Sequence, residues 1–234
     1  MHLTRVFRNF FIGKKRFIAS RAEFKRVMLT GYLSLLCVVA NWAYMIVNMG
    51  ERLPNFILNV VFCLTGITSM FLLRLKKDTA AKLLLFIGAY SIIFIFCSIE
   101  PFQTGVYIYF VVCSIGALAL FGYEQKHIAF LFAGIGAVLF ALAYTVGIKI
   151  ITIPITFSEE YIFNNFLLNF FVSLSASVLI LFFMTDVNRY SERTLEQKEA
   201  EAQERNKELT KLNTELDRFV YSVSHDLRSP LATI

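Results

Sequence analysis

The chain has 234 residues, of which 57% are hydrophobic and only 17% are charged, and its mean hydropathy is +0.62. A soluble domain is about half apolar and about one quarter charged, so this composition argues against an ordinary soluble protein. The formal net charge is +6, but the basic residues cluster beside hydrophobic runs, where anionic lipid head groups lie. The composition favours a membrane protein that contacts lipid and argues against direct binding of nucleic acid.

The N-terminal segment, residues 1–26, is strongly basic. It contains eight Lys and Arg residues against a single acidic residue, Glu23. Phenylalanine and isoleucine residues alternate with these charges, a pattern typical of an interfacial amphipathic helix. A secretory signal peptide is disfavoured, because the first long apolar run begins late and no small-residue cleavage site follows it.

Six continuous apolar runs follow, and each can cross a hydrocarbon core about 30 Å thick as a helix. Transmembrane strands are disfavoured because apolar and polar residues do not alternate within the runs. The runs lie at residues 27–49, 54–73, 80–98, 105–122, 128–148 and 166–184. They predict a six-helix transmembrane domain over residues 27–184.

The charges between the runs predict the orientation in the membrane. Basic residues dominate the N-terminal segment and the alternate loops that lie on the same side of the membrane, so both termini are expected in the cytoplasm. The second-to-third loop carries four basic residues, Arg74, Lys76, Lys77 and Lys82, and one acidic residue, Asp78. The third-to-fourth loop, which is expected on the outer side, carries Glu100. The longest outer loop, roughly residues 149–165, is too small for a folded domain, so a stimulus is expected to act on the helices, the lipid or that loop.

Polar residues inside the runs are few. No Asp, Glu, Lys, Arg or His lies well inside a run, whereas transporters and proton pumps usually keep such groups near the membrane midplane. The polar residues that the runs do contain are Asn41, Asn59, Asn169, Ser173, Ser175 and Ser177. Hydrogen bonding between helices is the favoured interpretation, and a pocket for a small polar ligand is the alternative.

Small residues and cysteines in the runs are interpreted structurally. Gly134 and Gly136 are expected to mark close helix packing. The four cysteines, Cys37, Cys63, Cys97 and Cys113, lie in apolar runs without metal-ligand spacing. They are expected to be small buried hydrophobic residues in a reducing environment, and no metal site is predicted.

The composition changes sharply after Met184. Residues 187–218 are rich in charged and amide side chains and contain no Gly or Pro. Apolar residues recur every seven positions at Leu195, Ala202, Leu209, Leu216 and Val223, and Leu212 and Phe219 fill the second seam position of the later heptads. This spacing predicts a coiled-coil stalk over residues 185–216 and therefore a homodimer. Polar residues occupy the second seam position early in the stalk, so a solvated single helix is the alternative.

The last residues form the motif that carries chemistry. From Phe219 the chain reads Phe-Val-Tyr-Ser-Val-Ser-His-Asp-Leu-Arg-Ser-Pro-Leu. This segment resembles the H-box of sensor histidine kinases, in which a Phe lies six residues before the His and the sequence His-Asp/Glu-Leu-Arg-Ser/Thr-Pro-Leu follows. The chain is thereby identified, by resemblance, as the N-terminal part of a membrane-bound sensor histidine kinase of a bacterial two-component system.

The residue types in this motif suit phosphoryl transfer. A neutral imidazole at His225 can act as the nucleophile toward a γ-phosphate, and Asp226 can hold the ring tautomer and accept the proton. His225 lies two residues from both Val223 and Leu227, so on a helix it is expected to face away from the apolar seam. Ser229 matches the family position that orients water for dephosphorylation of a response regulator.

These patterns together predict an all-α protein. The basic segment and the transmembrane domain are followed by the stalk and, over residues 217–234, by the start of a dimerisation and phospho-acceptor domain that we expect to be truncated. The resemblance implies that ATP phosphorylates His225 and that a receiver domain of a response regulator accepts the phosphoryl group. No P-loop or kinase-like glycine-rich loop is present, so ATP and Mg²⁺ are expected to bind a domain absent from this chain. A non-catalytic six-helix receptor, or a transporter, with a helical docking tail is the alternative.

Overall fold

The computed structural model describes residues 2–13, 18, 20–47, 53–145 and 157–231, and it confirms the all-α fold class, since every regular element in this part of the chain is helical. A short 3₁₀ helix, Phe102–Thr104, is the only other element in these ranges. The α-helices are α1 (His2–Phe11), α2 (Arg21–Val47), α3 (Leu53–Arg74), α4 (Asp78–Ile99), α5 (Ile108–Phe121), α6 (Lys126–Tyr144) and α7 (Glu159–Leu231).

Each predicted apolar run overlaps a helix, and the runs at residues 27–49, 54–73, 80–98 and 166–184 are helical wherever they are described. Residues 48–49 and 146–148, at the ends of the first and fifth runs, lie outside the described residues, as do residues 149–156 of the long outer loop. By length and composition, α2, α3, α4, α6 and the beginning of α7 can each cross a membrane. The chain therefore contains several long apolar helices compatible with a membrane protein.

The fourth run behaves differently from the others. Residues 105–122 are apolar throughout, but α5 has only 14 residues, about 21 Å at 1.5 Å per residue. The 3₁₀ helix before it ends at Gly105, whose φ of 75° lies in the left-handed region that favours glycine, and α5 begins only after this turn. By its own length α5 falls short of the roughly 20 residues that a span needs, so six crossings stay a prediction.

The chain divides into two compact units, Met1–Thr185 and Asp186–Ile234. In the first unit, α4 is the most buried of the long apolar helices and contacts α2, α3, α5 and α6. The main core cluster includes Leu29, Phe86, Tyr90, Leu120 and Ile180. Large apolar side chains cover the outside of the other helices, among them Trp42, Phe71, Phe130 and Phe182. Such an exterior suits contact with lipid tails rather than water.

Helix α1 packs against α2 and α3 through Phe11. This side chain is fully buried, together with Ile12, against Val27 and Leu73. At the end of α1, Nε of Arg74 donates a hydrogen bond to the carbonyl oxygen of Phe10 at 2.8 Å. A helix therefore forms where the amphipathic pattern predicts one, and its last turn contacts protein.

The two glycines of α6 have different surroundings. A Cβ atom at Gly136 would lie 2.7 Å from Oγ of Ser114 and 3.0 Å from the Tyr90 hydroxyl, which confirms close packing there. A Cβ atom at Gly134 would meet nothing within 4 Å. The expectation of close packing was therefore wrong for Gly134, because the exposed side of α6 has no described neighbour at that point.

Lys82 was wrongly counted as a loop residue. It lies in the second turn of α4 and is buried. Its Nζ donates a hydrogen bond to the carbonyl oxygen of Leu120 at 2.9 Å and lies 5.8 Å from the centre of the Phe121 ring. The last carbonyl groups of a helix have no hydrogen-bond partner within the helix. The Lys82 ammonium at the C-terminal end of α5 satisfies one of them and interacts favourably with the negative end of the helix dipole.

Candidate functional site

The predicted phospho-acceptor residues lie on a helical backbone. His225, Asp226 and Ser229 all fall within α7, which continues to Leu231. Their side chains lie outside the described residues. The expected orientation of His225 away from the seam, and the roles of Asp226 and Ser229, stay predictions that rest on the motif.

The described part of the second unit is helical and exposed. Five large apolar side chains of the predicted seam are each more than half exposed: Leu195, Leu209, Leu212, Leu216 and Phe219. Lys211 and Glu215, one turn apart, form an exposed ion pair at 3.9 Å. A row of exposed leucines at heptad spacing is the surface that a second helix would cover in a coiled coil.

A second candidate site lies inside the first unit. A cavity of about 140 Å³ is lined by residues of α2, α3, α4, α5 and α7. Most of its wall is apolar, with Leu36, Phe62, Phe86, Ile93 and Ala176 among the lining residues. Its shape and lining resemble those of small-molecule sites, which are concave, mostly apolar and provided with a few polar groups.

Polar groups gather at one end of this cavity around Glu100. The Tyr161 hydroxyl donates a hydrogen bond to Oε1 of Glu100 at 2.6 Å, and Nδ2 of Asn55 donates to the same oxygen at 2.9 Å. All three side chains are buried and line the cavity. We call these three residues the Glu100 cluster. Glu100 lies just after α4, in the connection where it was predicted, but its side chain is buried and accepts hydrogen bonds from donors on two other helices.

A second set of hydrogen bonds, centred on Asn169 of α7, links this helix to α2 and to the 3₁₀ helix. Nδ2 of Asn169 donates a hydrogen bond to the carbonyl oxygen of Thr104 at 2.7 Å, and the Tyr44 hydroxyl donates to Oδ1 of Asn169. The hydroxyls of Tyr44 and Tyr109 are 2.9 Å apart. Asn169 therefore confirms the predicted hydrogen bonding between helices, and it holds the turn before α5 against α7.

The other polar residues singled out in the runs divide into two groups. Asn41 bonds within its own helix, from Nδ2 to the carbonyl oxygen of Cys37 at 2.7 Å. Asn41, Asn59 and Asn169 all line the cavity, whereas Ser175 is exposed. Cys63 and Cys97 are buried, and Cys37 and Cys113 are partly buried. The three asparagines therefore line a cavity and Ser175 does not, while a pocket for a polar ligand stays a prediction.

A search for polar residues inside the apolar runs did not find the Glu100 cluster, because its three members lie at or beyond the ends of the runs. Asn55 is the second residue of the second run, Glu100 follows the third run and Tyr161 precedes the sixth. The predicted topology of six crossings puts these three run ends on the same side of the membrane. A comparison of polar residues at run ends on one side would have brought them together.

Comparison with known proteins gives a short match. The chain matches no protein-family model. It is 65% identical over 34 residues to the methanogenesis regulatory histidine kinase FilI of Methanothrix harundinacea (strain 6Ac). These residues are 14% of this chain and 4% of that protein, so the match spans only a small part of the relative's length. A short part of this chain is therefore similar to a histidine kinase.

Proposed function

We propose that this chain is the membrane-sensing and phospho-acceptor part of a sensor histidine kinase. The observation that carries the proposal is the H-box-like motif around His225. The short match to a histidine kinase and the long apolar helices support it. In this proposal the transmembrane helices detect a stimulus, and α7 connects them to the phospho-acceptor residue.

The chemistry assigns one role to each motif residue. A ring nitrogen of His225 attacks the γ-phosphorus of ATP, a phosphorus–nitrogen bond forms, and the bond to the ADP leaving group breaks. Asp226 holds the ring in the reactive tautomer and accepts its proton. The phosphoryl group then passes to an aspartate of a receiver domain, and Ser229 orients water when the receiver is dephosphorylated. We assign no ATP-binding or Mg²⁺-binding residue to this chain.

We further propose six crossings of the bacterial inner membrane, with both termini in the cytoplasm. The position of α5 beside α4 supports the fourth crossing. One end of α5 is tied to the beginning of α4 through the Lys82–Leu120 hydrogen bond. The turn that precedes α5 follows directly on the end of α4 at Glu100. Helix α5 thus runs antiparallel to α4, which is itself long enough to span, and the turn at residues 102–107 completes the distance.

The exposed apolar seam supports a homodimer through residues 185–216. Two copies would cover the leucines that a single chain exposes to water. A dimer also suits transfer of a phosphoryl group from ATP held by an ATP-binding domain to His225.

A phosphorylation assay tests the function. The chain is placed in lipid nanodiscs with an ATP-binding kinase domain, either in the same polypeptide or supplied separately, and γ-labelled ATP is added. We expect acid-labile phosphate on the wild-type chain, none on His225→Gln, and a normal amount on the matched control His127→Gln. Asp226→Asn should slow labelling by about 10²-fold, the lower end of the range for a general base. Label that survives in His225→Gln would overturn the assignment.

A further inference from the structure

We propose that the cavity in the first unit binds a small, largely apolar molecule that carries one hydroxyl group. The apolar body would lie against α4, α5 and α7, and the hydroxyl group would form hydrogen bonds with the amide group of Asn59 in α3. The inference adds a ligand site to the chain and does not depend on phosphorylation of His225.

Asn59 is a buried polar side chain at the wall of the cavity. It lies in the second turn of α3, is only 6% exposed and lines the cavity. No described residue forms a hydrogen bond with its amide group. A buried amide group without a hydrogen-bond partner is unfavourable, and such groups are rare in folded proteins. A molecule in the cavity can supply the partner that the described residues do not.

The other asparagines that line the cavity are bonded within the protein. Asn41, Asn165 and Asn169 each donate a hydrogen bond from Nδ2 to a backbone carbonyl oxygen, at 2.7, 3.0 and 2.7 Å. These three amide groups therefore have a structural role. Asn59 differs from them, since neither its Nδ2 nor its Oδ1 atom bonds to a described residue.

The amide group of Asn59 determines the character of the polar group on the ligand. An asparagine side chain offers two N–H donors and one carbonyl acceptor. A hydroxyl group can accept a hydrogen bond from Nδ2 or donate one to Oδ1. An uncharged group suits an uncharged partner, because a buried charge requires an opposite charge or several hydrogen bonds to offset the loss of water.

The size and lining of the cavity determine the size and character of the ligand body. A cavity of about 150 Å³ with an apolar lining holds one benzene-sized molecule, and this cavity has about 140 Å³. Small side chains from three helices, Ala40, Ala89 and Ala176, lie at its wall beside the larger Phe62 and Ile93. These side chains offer no hydrogen bond, so the cavity suits one aromatic ring or a compact aliphatic group with a short hydroxyl-bearing extension.

The cavity also lies against the helix that leads to the phospho-acceptor motif. The α7 residues that line it recur every three or four positions along one face: Tyr161, Asn165, Asn169, Val172, Ala176 and Ile180. A ligand that binds only when this face borders the cavity stabilises that position of α7 by mass action. Any effect on kinase activity rests on the proposed function, whereas binding itself does not.

Binding is tested with the intact chain in nanodiscs and two probes that differ in the hydroxyl group, 4-fluorobenzyl alcohol and 4-fluorotoluene. Fluorine NMR titrations measure saturable binding above partition into empty nanodiscs. We expect both probes to saturate the wild-type chain. Asn59→Leu removes the amide group and keeps a side chain of similar size, so it should weaken binding of the alcohol about fivefold or more. It should leave the affinity for 4-fluorotoluene unchanged.

Further variants separate the cavity from the lipid-facing surface. Thr68→Val removes a hydroxyl group from the exposed side of the same helix and should leave both affinities unchanged. Ala89→Phe fills the cavity and should abolish saturable binding of both probes. Ala176→Leu replaces it if the Phe variant fails to show wild-type thermal unfolding.

Four results would overturn the inference. Either probe could fail to saturate the wild-type chain, or a filled cavity could still bind a probe. Asn59→Leu could leave binding of the alcohol intact or weaken both probes equally, or Thr68→Val could weaken the alcohol as much as Asn59→Leu does. These results are independent of the labelling of His225, so the ligand site and the kinase assignment can fail separately.

Discussion

Gly31 leaves the space in which Phe11 of α1 packs against α2. It lies in α2 opposite the ring of Phe11, and a Cβ atom at this position would stand 2.6, 2.7 and 2.9 Å from three ring carbons. Ordinary contact begins near 3.4 Å, so the ring would have to move by about 0.8 Å. Tyr32 and Phe7 pack against that ring with centroids at 5.3 and 5.9 Å, and Phe11 is fully buried, so little space is available for the movement.

Gly31→Ala should therefore destabilise the attachment of α1. Overpacking by one methyl group costs about 1–3 kcal/mol, and the upper limit is the roughly 3–5 kcal/mol that loss of a buried Phe costs. Gly134→Ala is the matched control, because it has the same gain in helix propensity but meets nothing within 4 Å. The difference between the two variants isolates the clash with Phe11.

Thermal unfolding in nanodiscs and hydrogen exchange at residues 2–13 measure the effect. We expect faster exchange of α1 amides and lower stability in Gly31→Ala, and neither in Gly134→Ala. Phe11→Ala should cost less in the Gly31→Ala background than in the wild type, by about 1–3 kcal/mol, because the residues are in contact. Wild-type protection of α1 in Gly31→Ala, or additive effects in the double variant, would refute the packing argument.

Three further predictions follow from the same structure. Lys82→Met removes the donor to the Leu120 carbonyl and should lower the free energy of unfolding by about 1–3 kcal/mol. The control Lys77→Met changes an exposed lysine and should leave the free energy of unfolding unchanged. Equal stability of the two variants would contradict the role of Lys82. With the four native cysteines replaced by alanine, an impermeant thiol reagent should label Glu159→Cys but not Lys76→Cys in intact cells, and the opposite pattern would reverse the orientation. An insertion of four residues near Gln203 rotates the seam by about 40° beyond a full turn, whereas an insertion of seven residues restores the heptad. Only the four-residue insertion should therefore change the phosphate labelling of His225. Identical labelling of both insertion variants would argue against a rigid helical connection.

The positions of the helices can be predicted closely from the sequence, because the hydropathy of a segment and the spacing of its apolar residues depend only on residues that are near one another in the chain. The third run, residues 80–98, lies inside α4 (Asp78–Ile99), and the second run, residues 54–73, lies inside α3 (Leu53–Arg74). The helical path of the stalk also follows from the absence of Gly and Pro. The fourth run shows the limit of this approach, since an apolar turn with Gly105 at positive φ has the same hydropathy as a helix.

The sequence by itself determined the helical, lipid-compatible character of the chain and the chemistry expected at His225, because both depend on residues that are neighbours along the chain. Only the tertiary structure decided which polar residues are buried and what they contact. Asn55 and Tyr161 lie 45 and 61 residues from Glu100 in sequence, and Lys82 reaches a carbonyl 38 residues away. A charged or polar side chain can be buried only where partners from other helices satisfy its hydrogen bonds. Those partners are set by helix packing, which a local reading of hydropathy does not contain.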